Sequence, residues 1–162
     1  MVKLAMATHI GDFRLPASTG QTLSLNSFLG KVPMVIVFLG LPPSDGDHSF
    51  LTELDSRLKD FGAGRSQLLV VLRATARATR EIADELGLSV PLLADAGGSM
   101  ARDHGAEDTE GRRHPMALVV DKGGEIKRRF DPLPLDDPDD AIEALLYSVR
   151  ALGSGTLTAR DE

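Results

Sequence analysis

The sequence predicts a three-layer α/β/α domain with a mixed central sheet and an N-terminal β-hairpin. Three observations predict it: two continuous apolar runs are each followed by helical periodicity, a Gly-Gly turn joins two strand-like segments near the C-terminus, and a Thr-Gly turn does so near the N-terminus. A chain of 162 residues is long enough for one buried core. We therefore expect one domain over residues 1–152 and a flexible tail over residues 153–162.

The N-terminal third predicts a hairpin, a short helical turn and a buried strand. Strand residues Phe13–Leu15 and Thr22–Leu25 flank a turn at Thr19–Gly20, and Gly30 closes the helical turn that follows. The run Met34–Leu39 is apolar throughout, which is typical of a strand covered on both faces. We expect this run to be the central strand of the sheet.

The middle of the chain predicts a helix, a strand and a second helix. Apolar side chains recur at helical spacing from Phe50 to Phe61, until Gly62 and Gly64 end the pattern. Gln67–Leu72 is a second buried strand, and the next helix runs from a Thr75 cap to a stop at Gly87. Strand, helix and strand at this spacing predict a parallel strand pair.

The last third predicts the remaining strands of the sheet. Val90–Leu93 reads as a short edge strand, and Ser99–His104 as a short helix. Met116–Val120 and Glu125–Phe130 flank the turn Asp121–Gly124, which predicts an antiparallel hairpin at one end of the sheet.

The final helix has the strongest start signal in the chain. Asp137 is in the capping position, and Pro138 takes the first helical position, where its missing N–H does no harm. Its apolar stripe consists of Ile142, Leu145, Leu146 and Val149.

Charge and hydropathy narrow the class of partner. The net charge is −6, which disfavours a sequence-independent grip on phosphate backbones, so we expect no nucleic-acid partner. The longest apolar run, residues 32–41, is well short of the roughly 20 residues that span a bilayer. Residues 1–9 lack the apolar core of a secretory signal, so we expect a cytoplasmic protein without a membrane partner.

The chain contains no cysteine. Disulfides, thiolate metal sites, iron–sulfur ligation and thiol nucleophiles are therefore excluded for this chain. We also expect no cofactor.

The order of elements and several short motifs resemble a known family. The segments that resemble the opening of the alkyl hydroperoxide reductase and thiol-specific antioxidant family, the peroxiredoxins, are Gly11–Pro16, Gly20, Leu23–Leu25 and Phe28–Lys31. The resemblance covers roughly residues 9–150 and implies a thioredoxin-like fold of the peroxiredoxin type.

The resemblance also implies where the family's site would lie. Members follow the central strand with a P-x-x-x-T-x-x-C segment whose cysteine lies in the first turn of the next helix. In this chain the proline becomes Gly40, the threonine becomes Ser44 and the cysteine becomes Asp47, while a shift by one residue would select Gly46 or His48. No register supplies sulfur.

A second family marker is also replaced. Peroxiredoxins have an arginine at the start of the strand before the hairpin, where thioredoxin-like relatives have a cis-proline beside the active site. The equivalent position in this chain is Pro115, a match to the thioredoxin version.

Two functions are consistent with these residues. Asp47 is most simply a helix cap, which favours a non-catalytic binding or interaction module that retains the fold, forms a homodimer and binds a small molecule or protein. The alternative is a metal-assisted enzyme in which Asp47, His48 and His114 bind a divalent ion. We predict no thiol peroxidase or disulfide reductase activity.

Arg73 is a further candidate for ligand binding. It follows the second buried strand directly, so it should emerge at the same sheet edge as Gly40. Open α/β sheets bind ligands at this edge, and an arginine there suits an anion.

Overall fold

The computed structural model describes residues 8–39, 45–63, 65–107, 110 and 114–154, without the side chains of residues 45–47, 153 and 154. The strands are β1 (Arg14–Pro16), β2 (Thr22–Ser24), β3 (Met34–Leu39), β4 (Gln67–Leu72), β5 (Leu92–Ala94), β6 (Met116–Val120) and β7 (Ile126–Phe130). The helices are α1 (Asp45–Ser56), α2 (Leu58–Ala63), α3 (Ala76–Leu86), α4 (Ser99–Asp103) and α5 (Pro138–Ser154).

Five strands form the central sheet in the order β5-β4-β3-β6-β7. Strand β3 pairs parallel with β4 and antiparallel with β6, and the β6–β7 hairpin lies at one end of the sheet. The mixed sheet and the parallel strand pair predicted from the sequence are therefore confirmed. Strands β1 and β2 form the separate N-terminal hairpin.

Alternate side chains of β3 point to opposite faces of the sheet and are buried on both. Val35, Val37 and Leu39 pack into one core with α1, α2, α3 and α5. Met34, Ile36 and Phe38 pack into a second core with α4 and the N-terminal hairpin. All six residues are at most 2% exposed, which explains why β3 is apolar throughout instead of alternating. The domain thus has three layers.

The predicted ends of the later helices are confirmed. The amide of Ala78 donates to Oγ1 of Thr75, and Gly87 ends α3 with a left-handed backbone (φ +65). The amide of Asp140 donates to Oδ1 of Asp137, which caps α5. Helix α5 continues to Ser154, so the first two residues of the predicted tail are helical, and residues 155–162 lie outside the described residues.

The single helix predicted for residues 50–61 is two helices. The amide of Arg57 donates to the carbonyl of Leu54, three residues back, and the Ser56 hydroxyl donates to the carbonyl of Glu53. This tightened turn interrupts the helix at Arg57. Phe61 still reaches the core from α2.

The predicted edge strand begins two residues later than expected, at Leu92. The preceding amides of Ser89 and Val90 both donate to Oδ1 of Asp55 on α1, at 2.8 Å. The segment joins the sheet at Pro91, whose carbonyl accepts a hydrogen bond from the amide of Val70 in β4. The remaining predicted strand bounds agree with the observed ones to within one residue, and those of β3, β4 and β6 are identical.

Within the described residues, no helix is both long enough and apolar enough to cross a membrane.

A buried histidine links α4 to the N-terminal segment. His104 is 3% exposed, and its Nε2 accepts a hydrogen bond from the amide of Gly11 at 3.3 Å. This bond places the ring proton on Nδ1, which is buried and has no partner among the described residues. Burial lowers the pKa of His104; the charge of Asp103 opposes that shift, and the charge of Arg129 adds to it.

Acidification should destabilise the fold through His104. Its pKa is lower in the folded than in the unfolded state, so its contribution to stability is present above about pH 6.5 and is lost as the pH falls through the folded value. Because one proton is involved, the free energy of unfolding should fall by at most about 1.4 kcal/mol for each pH unit. Urea unfolding followed between pH 7.5 and 5 should show wild-type stability falling over this interval.

Two variants distinguish the effect of His104 protonation on stability from the effects of other groups that titrate in acid. H104Q should lower stability at pH 7.5 but flatten its pH dependence, whereas H9Q, which retains the buried ring, should keep the wild-type profile. An unchanged slope in H104Q would contradict this assignment.

Candidate functional site

Three chain segments meet at one edge of the sheet. Leu39 of β3 and Leu72 of β4 are register partners in a parallel pair, so both strands end at this edge. Strand β6 runs the other way and begins there, since Met116 is the register partner of Phe38. The segments that follow β3 and β4 and the segment that precedes β6 therefore form the candidate site.

The residues equivalent to the family motif are only partly described. Gly40 and Ser44 lie outside the described residues. Asp47 lies in the first turn of α1, where it is the third helical residue because the helix begins at Asp45. The capping role predicted for Asp47 stays a prediction, since its side chain is outside the description.

His114 and Pro115 enter the site from the segment before β6. The His114 amide donates to the carbonyl of Ala106, and the carbonyl of Pro115 accepts from the amide of Leu133. The peptide bond before Pro115 is trans, and within the described residues the one cis peptide bond precedes Pro132. The assignment of Pro115 to the family position stays a prediction.

His114 is paired with a carboxylate that the sequence analysis did not single out. Its Nε2 lies 2.7 Å from Oδ1 of Asp131, and the two side chains are 39% and 35% exposed. Asp131 follows β7, whose register with β6 places the two ends together. Only this pairing, not sequence spacing, would have identified Asp131.

His48 lies on α1 beside a surface depression of about 320 Å³, together with Ser49, Thr52 and Glu53. Within the described ranges, no three histidine, aspartate or glutamate side chains are arranged to hold a metal ion. The metal site predicted at Asp47, His48 and His114 includes an undescribed side chain and stays a prediction.

Arg73 emerges directly after β4, as the sequence predicts. It lines a cavity of about 330 Å³ together with Ala74, Thr75, Ala78 and Ala96. Its side chain is 33% exposed, and its Nε lies 3.7 Å from Oε1 of Glu107. Arg73 is therefore partly buried at the edge of the sheet where β3 and β4 end.

A buried carboxylate holds two arginines at this edge. The Glu107 side chain is 2% exposed, and its Oε2 lies 3.0 Å from Nη1 of Arg102. Nη1 of Arg102 also donates to the carbonyl of Gly97. We call Arg73, Arg102 and Glu107 the arginine–glutamate cluster.

Two loop features support the cluster. Asp95, directly after β5, accepts hydrogen bonds from the amides of Met100 and Ala101 and so fixes the start of α4. Gly98 has φ +76, and a Cβ there would lie 2.7 Å from Nε of Arg73 and 2.9 Å from Oε1 of Glu107. Asp95, Arg102 and Glu107 were not predicted as site residues; the one signal for them in the sequence is that Asp95 lies two residues after the predicted strand Val90–Leu93.

Comparison with known proteins identifies the family. The model of the AhpC/TSA family matches residues 6–129. The chain belongs to the AhpC/TSA family.

Solved structures of other proteins share the fold of this AhpC/TSA chain. AhpC from Enterococcus faecalis is 19% identical with a TM-score of 0.79, and the match covers 93% of this chain and 96% of that one. Peroxidoxin BcpB from Mycobacterium tuberculosis is 22% identical with a TM-score of 0.74, covering 87% and 95%. Peroxiredoxin Q from Xanthomonas campestris is 17% identical with a TM-score of 0.75, covering 85% and 91%. No curated protein matches the sequence.

The predicted family and the thioredoxin-like, peroxiredoxin-type fold are therefore confirmed. The chain has no cysteine at any position.

Gly98 should be intolerant of a side chain. In G98A, the backbone strain at positive φ should lower the free energy of unfolding by roughly 1–2 kcal/mol. The new methyl group would also displace charged groups around the buried carboxylate of Glu107, which should lower it by roughly 1–3 kcal/mol more. Denaturant unfolding of the wild type and the variant measures the sum.

Gly87 supplies a matched control. It has φ +65, and a Cβ there would meet nothing within 4 Å, so G87A carries the backbone strain alone. Equal destabilisation in the two variants would show that the arginine–glutamate cluster does not constrain position 98.

Proposed function

We propose that this AhpC/TSA chain is a non-catalytic binding module and not a thiol peroxidase. The observation that carries the proposal is the complete absence of cysteine, with Asp47 at the position that resembles the family cysteine. A thiolate reduces a hydroperoxide because sulfur accepts the peroxide oxygen as a sulfenic acid while the O–O bond breaks. A carboxylate neither takes up that oxygen nor returns it to a thiol reductant.

The replacement of the second family marker supports the same proposal. Pro115 carries no positive charge and has no N–H, so it offers neither a donor nor a countercharge to a peroxide. Its carbonyl is already engaged by the Leu133 amide. The described part of the site is better suited to hold a ligand than to reduce one.

The purified, metal-free protein should consume no hydrogen peroxide or alkyl hydroperoxide when it is coupled to a thiol reductant. The rate should equal that of the buffer with reductant alone. Peroxide consumption that is proportional to protein concentration would overturn the proposal.

A D47C variant tests whether the family position has been placed correctly. A thiol in the first turn of α1 lies in the positive field of the helix N-terminus, which lowers a thiol pKa. We expect D47C to react with iodoacetamide at pH 7 several-fold faster than S49C, whose cysteine would lie at an exposed position two residues further along α1. Equal rates would show that residue 47 does not occupy an activating position.

The proposal extends to a homodimer, on the basis of the family resemblance. Sedimentation at high protein concentration should show a dimer, and a monomer alone would remove this part of the proposal.

A cytoplasmic location likewise stays a prediction from the sequence. The metal-assisted alternative at Asp47, His48 and His114 has no favouring observation, because the described carboxylate partner of His114 is Asp131.

A further inference from the structure

We propose that the cavity beside Arg73 binds a small organic carboxylate. The inference rests on the proposed binding function and names the chemical class of ligand. Its first support is position: Arg73 follows Leu72 at the carboxyl end of β4, and open α/β sheets bind ligands outside the carboxyl ends of their strands.

The guanidinium of Arg73 has hydrogen-bond donors that no described residue uses. A guanidinium has five N–H donors, and within the described residues the only charged partner of Arg73 is Glu107, whose Oε1 lies 3.7 Å from Nε. That distance is too long for a hydrogen bond, and Nε is buried without a hydrogen-bond partner in the described part of the chain. Nε faces Gly98 and Glu107 and is closed to a ligand. Within the described residues no hydrogen bond engages Nη1 or Nη2 of Arg73, so these two groups are the donors that a ligand carboxylate would use.

The arginine–glutamate cluster also carries excess positive charge. Glu107 contributes one negative charge between two guanidiniums, and its Oε2 is the closer partner of Arg102. The three side chains together therefore carry a net charge of +1. Glu107 is 2% exposed and places its charge 3.7 Å from Nε of Arg73, on the buried side of the guanidinium.

The cavity is suited to a small, partly apolar anion. Its volume of about 330 Å³ is at the lower end of small-molecule sites, which span roughly 300–1,000 Å³. Apart from Arg73 its walls are small side chains, Ala74, Thr75, Ala78 and Ala96, whose methyl groups would contact a short carbon chain. A planar carboxylate matches the fork of donors on a guanidinium.

The entry to α3 adds to the attraction. Helix α3 begins at Ala76, and Thr75, which lines the cavity, caps it by accepting from the Ala78 amide. The positive end of the helix is therefore next to the cavity wall and favours a negative ligand. A cation would be repelled by both the helix end and Arg73.

The proposal can be tested by titrating butyrate into the ¹⁵N-labelled protein in 100 mM NaCl and following amide shifts by NMR. We expect saturable shifts at Ala74, Thr75, Ala78 and Ala96, with a Kd on the order of 1 mM. Butanamide, which has the same shape without the charge, should produce no saturable shift. Inorganic phosphate should bind at least tenfold more weakly, because it cannot use the apolar walls.

Matched variants identify the binding residue. R73Q should weaken butyrate binding at least tenfold, whereas R77Q removes the same charge from a side chain that is 91% exposed and should bind as the wild type does. A96L fills the cavity from an exposed loop position and leaves Arg73 in place. It should weaken binding at least fivefold, and it serves as the decisive variant if R73Q does not fold.

Four outcomes would overturn the inference. These are an absence of saturable shifts with butyrate, equal binding of butanamide, phosphate binding as tight as butyrate binding, and an equal loss of affinity in R77Q and R73Q. The peroxidase assay is independent of these measurements. Butyrate binding could fail in a chain that has no peroxidase activity, and peroxide consumption would overturn the proposed function whether or not butyrate binds.

Discussion

The burial of β3 on both faces is the constraint on which the rest of the structure depends. Its six residues contribute alternately to two cores, so helices must cover one face while the N-terminal hairpin and α4 cover the other. The same strand pairs parallel with β4 and antiparallel with β6. Those two pairings bring Arg73 and Pro115 to one edge of the sheet, and the site follows from them.

Most of the fold can be predicted because its signals are local. Apolar runs define β3, β4 and β6, Thr75 and Gly87 delimit α3, and the Asp121–Gly124 turn defines the last hairpin. The differences arise where a distant side chain intervenes. The carboxylate of Asp55 accepts hydrogen bonds from the amides of Ser89 and Val90 just before β5, and these contacts across 34 and 35 residues are not encoded by local periodicity.

The site was predicted less completely than the fold, because its residues also come together through contacts between distant parts of the chain. Arg73 could be placed at the sheet edge from the order of strands alone. Its partner Glu107 lies between α4 and β6, and only the folded chain brings that carboxylate to within 3.7 Å of the Arg73 guanidinium. The Asp131 carboxylate near His114 is a similar case, because the pairing of β6 with β7 joins them. Sequence reasoning identified the element ends but not the side chains that meet there.

The way in which the N-terminal hairpin is attached has a consequence for the order of folding during synthesis. Ser18 donates to the carbonyl of Leu92, Gly30 to that of Lys122, and Ile10 to that of Gly124. The hairpin segment therefore finds these docking partners only after 74, 92 and 114 further residues, respectively, have been synthesised. Such high sequence separation slows assembly. Until then, the apolar face that the hairpin later covers is open to solvent, and a nascent chain in that state is a substrate for chaperones.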